Sequence, residues 1–488
     1  MHTHLLHKSA IIESSFEMNE QSVRMLRTRL WILTLLSVGL AIFPGLGCRG
    51  GSNAAQQALQ PIELTVWRVF DGQDTFDPMI EAYRRIHPNV KINYRKLRFE
   101  EYEGELIRAL AEDRGPDIFS VHNTWMKGYT DLISPMPDTV KLTYQEMKGT
   151  LKKELVVALR TEQTLSLREL TDSFVQVVPE YVVYPATDAA GTKNRIYGLP
   201  LSVDTLALYY NKDILDAAGI PQPPATWEEF QADVVKLTKY NANGGIAQSG
   251  AAIGTGSNVE RSTDILSLLM MQSGAQMSDA RGQARFAETV SGPSGRSLPS
   301  ADALRFYTDF ANPTKEAYTW DKSFTGSFDA FVAGQTAFFF GYSYHDPLIK
   351  ARAQKLNIGL APMPQISEDL RARINYANFW IESVSKKSDN PDWAWDFIQF
   401  TAAEENVDSF LSAARKPTAL RSLVLKQNED FDLSVFADQV LSAQAWYNGN
   451  DATSAEKAME KMIDSIVSGT HTIEEALGIA QNEVNQTL

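Results

Sequence analysis

The side chains best suited to chemistry here are aromatic rings paired at short range with planar polar groups. Trp67 stands four residues before Asp71, Asn123 two before Trp125, and Tyr342 three before His345. Trp380 follows Asn378, and Trp446 precedes Tyr447. A sugar ring calls for this mixture. Its C–H faces stack on aromatic rings, and its hydroxyls need Asp, Asn, Arg or His partners that are costly to leave unmet once buried. Core packing is the competing reading for each ring. Motifs of bond-breaking chemistry are missing: there is no Gly-x-Ser-x-Gly elbow, no His-Glu-x-x-His and no cysteine beyond Cys48. A glycosidase needs two opposed carboxylates, and nothing in the sequence nominates a pair. His122 and His345 lack a third metal ligand, and Ala252 to Ser257 lacks the third glycine of a dinucleotide loop. No metal, no cofactor and no enzymatic activity are therefore expected.

The elements that must position these residues alternate strand and helix. Ile62 to Trp67 alternates apolar and polar residues and reads as a strand. Met79, Ile80, Tyr83 and Ile86 fall at helical spacing before Pro88. Val90 to Tyr94 is a second strand, Tyr102 to Ala111 a helix closed by Gly115-Pro116, and Asp117 to Val121 a third strand. This pace implies a mostly parallel sheet with helices on its faces. Lys148 to Arg168 is polar and reads as helix within an insertion around 138–195. Thr226 with Glu229 and Thr472 with Glu475 are capping boxes, and Asn390-Pro391 opens another helix. Ile265 to Met271 reads as a buried helix, Ser278 to Ser300 as a polar loop, and Gly334 as the end of a helix before the strand that closes at Gly341.

The 488 residues exceed one core, and the net charge of −14 argues against a nucleic-acid surface. Arg27 and Arg29 followed by the apolar run Leu30 to Phe43 form an export signal ending at Gly47-Cys48. That ending resembles a bacterial lipobox, with Gly45 where leucine is usual, and makes Cys48 the lipidation site. An uncleaved membrane anchor is the alternative, since the run is almost long enough to span a bilayer. Residues 1–24 are an extension or follow a mis-assigned start, 25–48 the signal and 49–61 a tether.

Several motifs carry a family resemblance. Tyr197-Gly-Leu-Pro200 leads into a strand ending Tyr210-Asn-Lys-Asp213. With His87-Pro-Asn-Val90, Gly115-Pro-Asp-Ile-Phe119, Pro224-Ala-Thr-Trp-Glu-Glu-Phe230, the Phe331-to-Gly334 element and Thr472-Ile-Glu-Glu-Ala-Leu477, this resembles the family 1 extracellular solute-binding proteins across Ile62 to Leu488. The resemblance implies an α/β, type II periplasmic-binding-protein fold, two α/β lobes joined by a hinge. The expected lobes are residues 62–200 with 359–412, and 201–358 with 413–488. Ligand would sit at strand carboxyl ends between them. That rule selects Trp67, Asp71, Asn123, Trp125, Asp204, Tyr342, His345 and Trp380, with Trp446 in a loop before the terminal helices, and Arg415 near the last crossing is a further candidate that would favour an anion. The implied function is capture of a sugar or oligosaccharide for an ABC importer, by a monomer that is lipid-anchored outside the cytoplasm and has permease subunits as partners. Open alternatives are a polyamine, a glycerol phosphate ester held through Arg415, a peptide, a receptor for a sensor kinase, or a surface carbohydrate-active enzyme.

Overall fold

The computed structural model describes residues 61–488 except 150–153, 189–190, 293–294 and 368. The expected signal, Cys48 and most of the tether lie outside the described residues. Among the described residues, no helix is long and apolar enough to cross a membrane.

Strand β1 (Ile62–Val69) runs parallel to β2 (Val90–Leu97) and β3 (Ile118–His122). Between them, α1 (Gln73–Ile86) and α2 (Phe99–Ala111) return the chain. Helix α1 buries Phe76, Met79, Ile80 and Tyr83, one face at helical spacing. Each such burial is worth about 1.5–3 kcal/mol, which is what fixes the helix on the sheet.

Residues 148–168 depart from the helical expectation. A hairpin of two ten-residue strands, β4 (Thr139–Lys148) with β5 (Glu154–Gln163), reaches into this stretch. Helix begins only at Leu167, where Ser166 and Glu169 form a capping box. Period-two burial decides the outcome: Val140 and Leu142 are buried while Lys141 is exposed. The Lys141 N–H donates to Asp392 at 2.9 Å, tying the hairpin to the helix that begins at Pro391. A second hairpin, β6 (Val183–Asp188) and β7 (Gly191–Ile196), completes the insertion.

Strand β8 (Leu199–Pro200) joins the first sheet, β9 (Asp204–Thr205) leaves it, and β10 (Ala207–Asn211) enters the second lobe. There α3 (Trp227–Leu237), with its Thr226–Glu229 capping box, precedes β11 (Lys239–Tyr240) and β12 (Ile246–Ala251). The middle of α4 (Ser262–Gln272), apolar except for Ser267, is buried. The segment expected as a polar loop contains a small hairpin, β13 (Val290–Gly292) with β14 (Gly295–Ser297). Helix α5 (Pro299–Asp309) follows, and Gly334, at φ +70°, ends a short helix before β15 (Thr336–Gly341). Helix α6 (His345–Arg352) and β16 (Ile358–Ala361) complete this sheet.

The chain then returns through β17 (Asn375–Asn378) to β18 (Trp380–Val384). Helix α7 (Pro391–Ala402) starts at its proline, but the Asn390 side chain does not cap it. Helix α8 (Glu404–Ala414) follows, then a strap to β19 (Ala443–Gln444) and the terminal helices α9 (Ala452–Val467) and α10 (Ile473–Asn485), the latter opened by the Thr472–Glu475 box.

Two five-stranded sheets result, β2-β1-β3-β18-β8 and β11-β12-β15-β10-β16, each with its own apolar core. Both mix directions, because β18, β8 and β10 run antiparallel to their neighbours. The three crossings between lobes pair with one another as the sheet β19-β17-β9. The boundary expected at 412/413 divides a segment that serves both sides. Leu420, Leu423 and Val424 pack in the first core, whereas Phe436 packs with Tyr209 and Phe339 of the second lobe.

Gly198 is fixed by close approach to β18, not by its backbone angle. A Cβ there would lie 2.4 Å from Ile381 Cγ2 and 2.7 Å from the Glu382 carbonyl oxygen. Gly198→Ala is expected to cost about 1–3 kcal/mol, read as a lower urea midpoint with an unchanged m-value. A midpoint equal to wild type would show that β8 and β18 part freely.

Candidate functional site

A cleft of about 840 Å³ lies between the lobes. The first lobe supplies an aromatic wall to it. Trp380, the first residue of β18, pairs across the sheet with His122. Its ring meets His122 and Trp125 at 5.3 Å each, Phe70 at 5.9 Å and Phe99 at 6.2 Å between centroids. All four contacts are steeply tilted or edge-on, the geometry aromatic rings favour. Phe70, just past the end of β1, has φ +68°, a strained value for a bulky side chain. Its ring lies parallel to Tyr344 of the second lobe at 6.1 Å.

The second lobe supplies a charged wall. Arg261, at φ +58°, opens α4 and holds the Asp264 carboxylate through Nε at 2.8 Å and Nη2 at 3.0 Å. Its Nη2 also reaches Glu456 of α9 at 3.4 Å. Asp264 accepts a further bond from the Tyr342 hydroxyl at 2.6 Å. His345 Nδ1 accepts from the Tyr342 N–H at 2.9 Å, so Nε2 carries the proton it donates to Glu260 at 3.0 Å. Burial works against ionisation of Glu260, but the His345 bond and the nearby charges outweigh it and hold the carboxyl below its usual range. Burial pushes the Glu456 and Glu460 carboxyls up. Burial also takes the His122 imidazole down to about 4, leaving it neutral, with Nε2 donating to Asn378 Oδ1 at 3.2 Å.

Among the described residues, three basic and six acidic side chains line the cleft, an excess of three acids. Each base is already engaged within the protein. Arg261 holds Asp264 and Glu456, Arg352 holds Asp329 at 2.9 Å, and Lys416 holds Asp71 at 2.7 Å. Among the described residues, no group of three or more His, Cys, Asp and Glu is arranged to hold a metal ion.

Of the residues selected from sequence, Trp125, Asp204 and Trp380 line the cleft. Trp446 lines a small recess adjoining it. Four others stand behind the surface. Tyr342 and His345 are buried beneath the charged wall, Asp71 is the buried partner of Lys416, and the buried Asn123 accepts the Phe379 N–H at 3.3 Å. Two do not belong. Trp67 is buried within β1, with the Arg95 guanidinium 4.6 Å over its ring, because the strand runs two residues further than its alternation suggests. Arg415 turns away to Asp430 at 2.9 Å and Asp432 at 2.7 Å. Phe70, Phe99, Arg261, Lys416, Glu456 and Glu460 line the cleft and were not selected. Phe70 and Lys416 adjoin stretches that were singled out; the others carry no local signal.

Asp204 accepts from the Ser343 N–H at 3.0 Å, the Ser343 hydroxyl at 2.6 Å and the Thr205 N–H at 2.9 Å. Burial nevertheless dominates and raises its pKa from 3.8 to about 6. The folded protein therefore keeps a proton that the unfolded chain has already released. Stability from this group is full below about pH 4 and is lost as the pH rises through about 6. Relative to Asp204→Asn, wild type is expected to lose urea stability between those pH values. Parallel pH profiles for the two proteins would show that Asp204 titrates as an ordinary carboxyl.

Residues 71–408, more than two thirds of the chain, match the family described as bacterial extracellular solute-binding protein. A putative binding protein of Brucella abortus (strain 2308) is 42% identical over 62 residues, 12% of this chain and 15% of that protein. An sn-glycerol-3-phosphate-binding periplasmic protein of Yersinia pestis bv. Antiqua (strain Antiqua) is 25% identical over 195 residues, 39% of this chain and 38% of its own. The chain thus spans well under half the length of these curated relatives. The crystal structure of a cyclic α-maltosyl-1,6-maltose binding protein from Arthrobacter globiformis superposes with a TM-score of 0.65 at 20% identity, covering 87% of this chain and 98% of that one. The fold is that of a two-lobed periplasmic binding protein, and the chain belongs to the bacterial extracellular solute-binding proteins.

Proposed function

We propose that the protein captures a sugar or oligosaccharide between its lobes and delivers it to the permease of an ABC importer. The observation that carries this reading is the pairing of an aromatic wall on one lobe with a carboxylate-rich wall on the other, across about 840 Å³. That volume is toward the upper end for a small-molecule site of roughly 300–1,000 Å³ and favours more than one ring. Aromatic rings stack on the C–H faces of a sugar, and carboxylates accept hydrogen bonds from its hydroxyls. Glu460 makes no hydrogen bond or ion pair with the described residues and is free to do so. Ligand touching both walls stabilises the closed form by its differential affinity for it, and the closed shape is what a permease would recognise. Membership of the family places the protein outside the cytoplasm. Anchoring through Cys48 and action as a monomer complete the proposal.

The glycerol-phosphate relative makes an anionic ester the natural rival, but a phosphate would meet bases that are already paired and carboxylates in excess. A second reading, a polyamine-like cation, draws on that same excess.

A thermal-shift screen against oligosaccharides, polyamines and phosphate esters decides among these. A ligand at a hundredfold its Kd stabilises by about 2.7 kcal/mol, an upward shift in Tm. The expected hit is a saccharide, with the shift lost in Trp380→Ala. A phosphate ester or polyamine that shifts Tm while every saccharide is silent overturns the sugar reading.

A further inference from the structure

We propose that the recess at the floor of the cleft takes the exocyclic hydroxymethyl group of a hexose unit, so that the protein selects hexosides over pentosides. This rests on the sugar reading above. The recess measures about 30 Å³ and shares His122, Arg261, Asn378 and Glu456 with the cleft, so a group attached to a ring held in the cleft reaches it directly. One water needs about 10–15 Å³ on this measure, which gives room for about two heavy atoms: one carbon and one oxygen.

The walls suit such a group. Met459, Ala452 and Ala455 of α9 present apolar surface suited to a methylene. Trp446 adds its ring, and its indole N–H is already given to Ser267 Oγ at 3.0 Å. The Asp264 carboxylate is likewise held by Arg261 and Tyr342. Tyr376 differs from these two, as do the Thr263 hydroxyl and the Asn378 amide N–H, which also line the recess without a hydrogen bond among the described residues. The Tyr376 side chain is 6% exposed, its hydroxyl makes no hydrogen bond among the described residues, and that oxygen is not among the polar atoms sealed from water. The recess is the space it borders. An unpartnered hydroxyl beside a slot with apolar walls on one side and room for about two heavy atoms fits –CH2OH. It penalises both a bare C–H, which leaves the hydroxyl unmet, and a carboxylate, which would lie against Glu456.

The position of the recess adds a consequence. Tyr376 sits on β17 and pairs with Gln444 of β19, two residues before Trp446. Two of the three crossing strands thus frame the slot, and a group seated there is read where the lobes bend.

The test is calorimetric titration of the purified protein with cellobiose, maltose and mannobiose against xylobiose, which lacks the hydroxymethyl group, repeated in Tyr376→Phe. The expected result is at least a tenfold preference for one of the hexose disaccharides over xylobiose. Tyr376→Phe should weaken that hexoside roughly tenfold, leave xylobiose unchanged and leave Tm within a degree or so of wild type. Xylobiose binding as tightly as every hexoside overturns the recess assignment while leaving the sugar reading intact, as does a Tyr376→Phe variant that binds the preferred hexoside like wild type. Silence from all four disaccharides overturns the recess assignment, and the screen above decides the sugar reading separately.

Discussion

Everything in the cleft depends on the pairing of the three crossings with each other. Strands β9, β17 and β19 form one small sheet, so no crossing bends alone. The Gln439 side chain reinforces it, donating to the Leu206 carbonyl at 2.9 Å and to Thr205 Oγ1 at 3.0 Å while accepting the Met363 N–H at 2.9 Å. Such a coupled hinge favours movement of the lobes as rigid bodies. It also delivers cleft residues directly. Asp204 is the first residue of β9, and a single residue, Phe379, separates the end of β17 from Trp380. Trp446 stands two residues beyond β19. A rotation at the hinge is therefore also a displacement of the site.

The first lobe anchors Lys416, a cleft cation, through a buried chain of charge. Lys416 binds Asp71, Asp71 accepts from Arg68 at 3.1 Å, and Arg68 Nε lies 3.1 Å from Glu382, which also accepts from Ser120. Burial works against Asp71, but Lys416 and Arg68 together hold its carboxyl below the ordinary range. Glu382, with burial opposed chiefly by Arg68, is pushed up. The Arg68 guanidinium also lies 4.6 Å over the Phe76 ring. Breaking a buried pair on one side strands a charge, at a cost of about 3–5 kcal/mol. The network therefore fixes the Lys416 ammonium, and with it the strap that begins at Arg415, against the first lobe.

What the sequence reveals about this protein follows from the range of the interactions concerned. Capping boxes at Thr226 and Thr472 are legible because every participant lies within four residues. Trp125, Asp204 and Trp380 are legible because a strand end in this fold is a place as well as a pattern. The failures turn on one or two residues. Trp67 reads as the exit of β1, yet pairing with β2 continues to Val69 and gives the cleft to Phe70 instead. Arg415 takes a left-handed backbone, φ +54°, and its side chain goes to solvent-side aspartates while Lys416 enters the cleft. Lys148 to Arg168 reads as helix because its polar composition suits either state; pairing of Glu154–Gln163 with Thr139–Lys148, whose Val140 and Leu142 are buried against long-range partners, selects the strand. Arg261, Glu456 and Glu460 converge only through the packing of α9 near the start of α4, which no local pattern encodes.

On the proposed sugar reading, the difference between the two walls would couple binding to closure. A ligand resting on Trp380 and Trp125 alone gains stacking but leaves its hydroxyls in water, and one resting on Glu456 and Glu460 alone gains hydrogen bonds that water supplies nearly as well. Only a closed cleft gives both at once and removes the competing water, which strengthens each polar contact. The energy of binding is therefore concentrated in the closed state, the condition for a ligand to shift the population at all. An anion fails this condition on the charged wall, where each base would have to trade an existing carboxylate for it. A polyhydroxylated ring does not, since it asks for acceptors, and acceptors are what this wall holds in surplus.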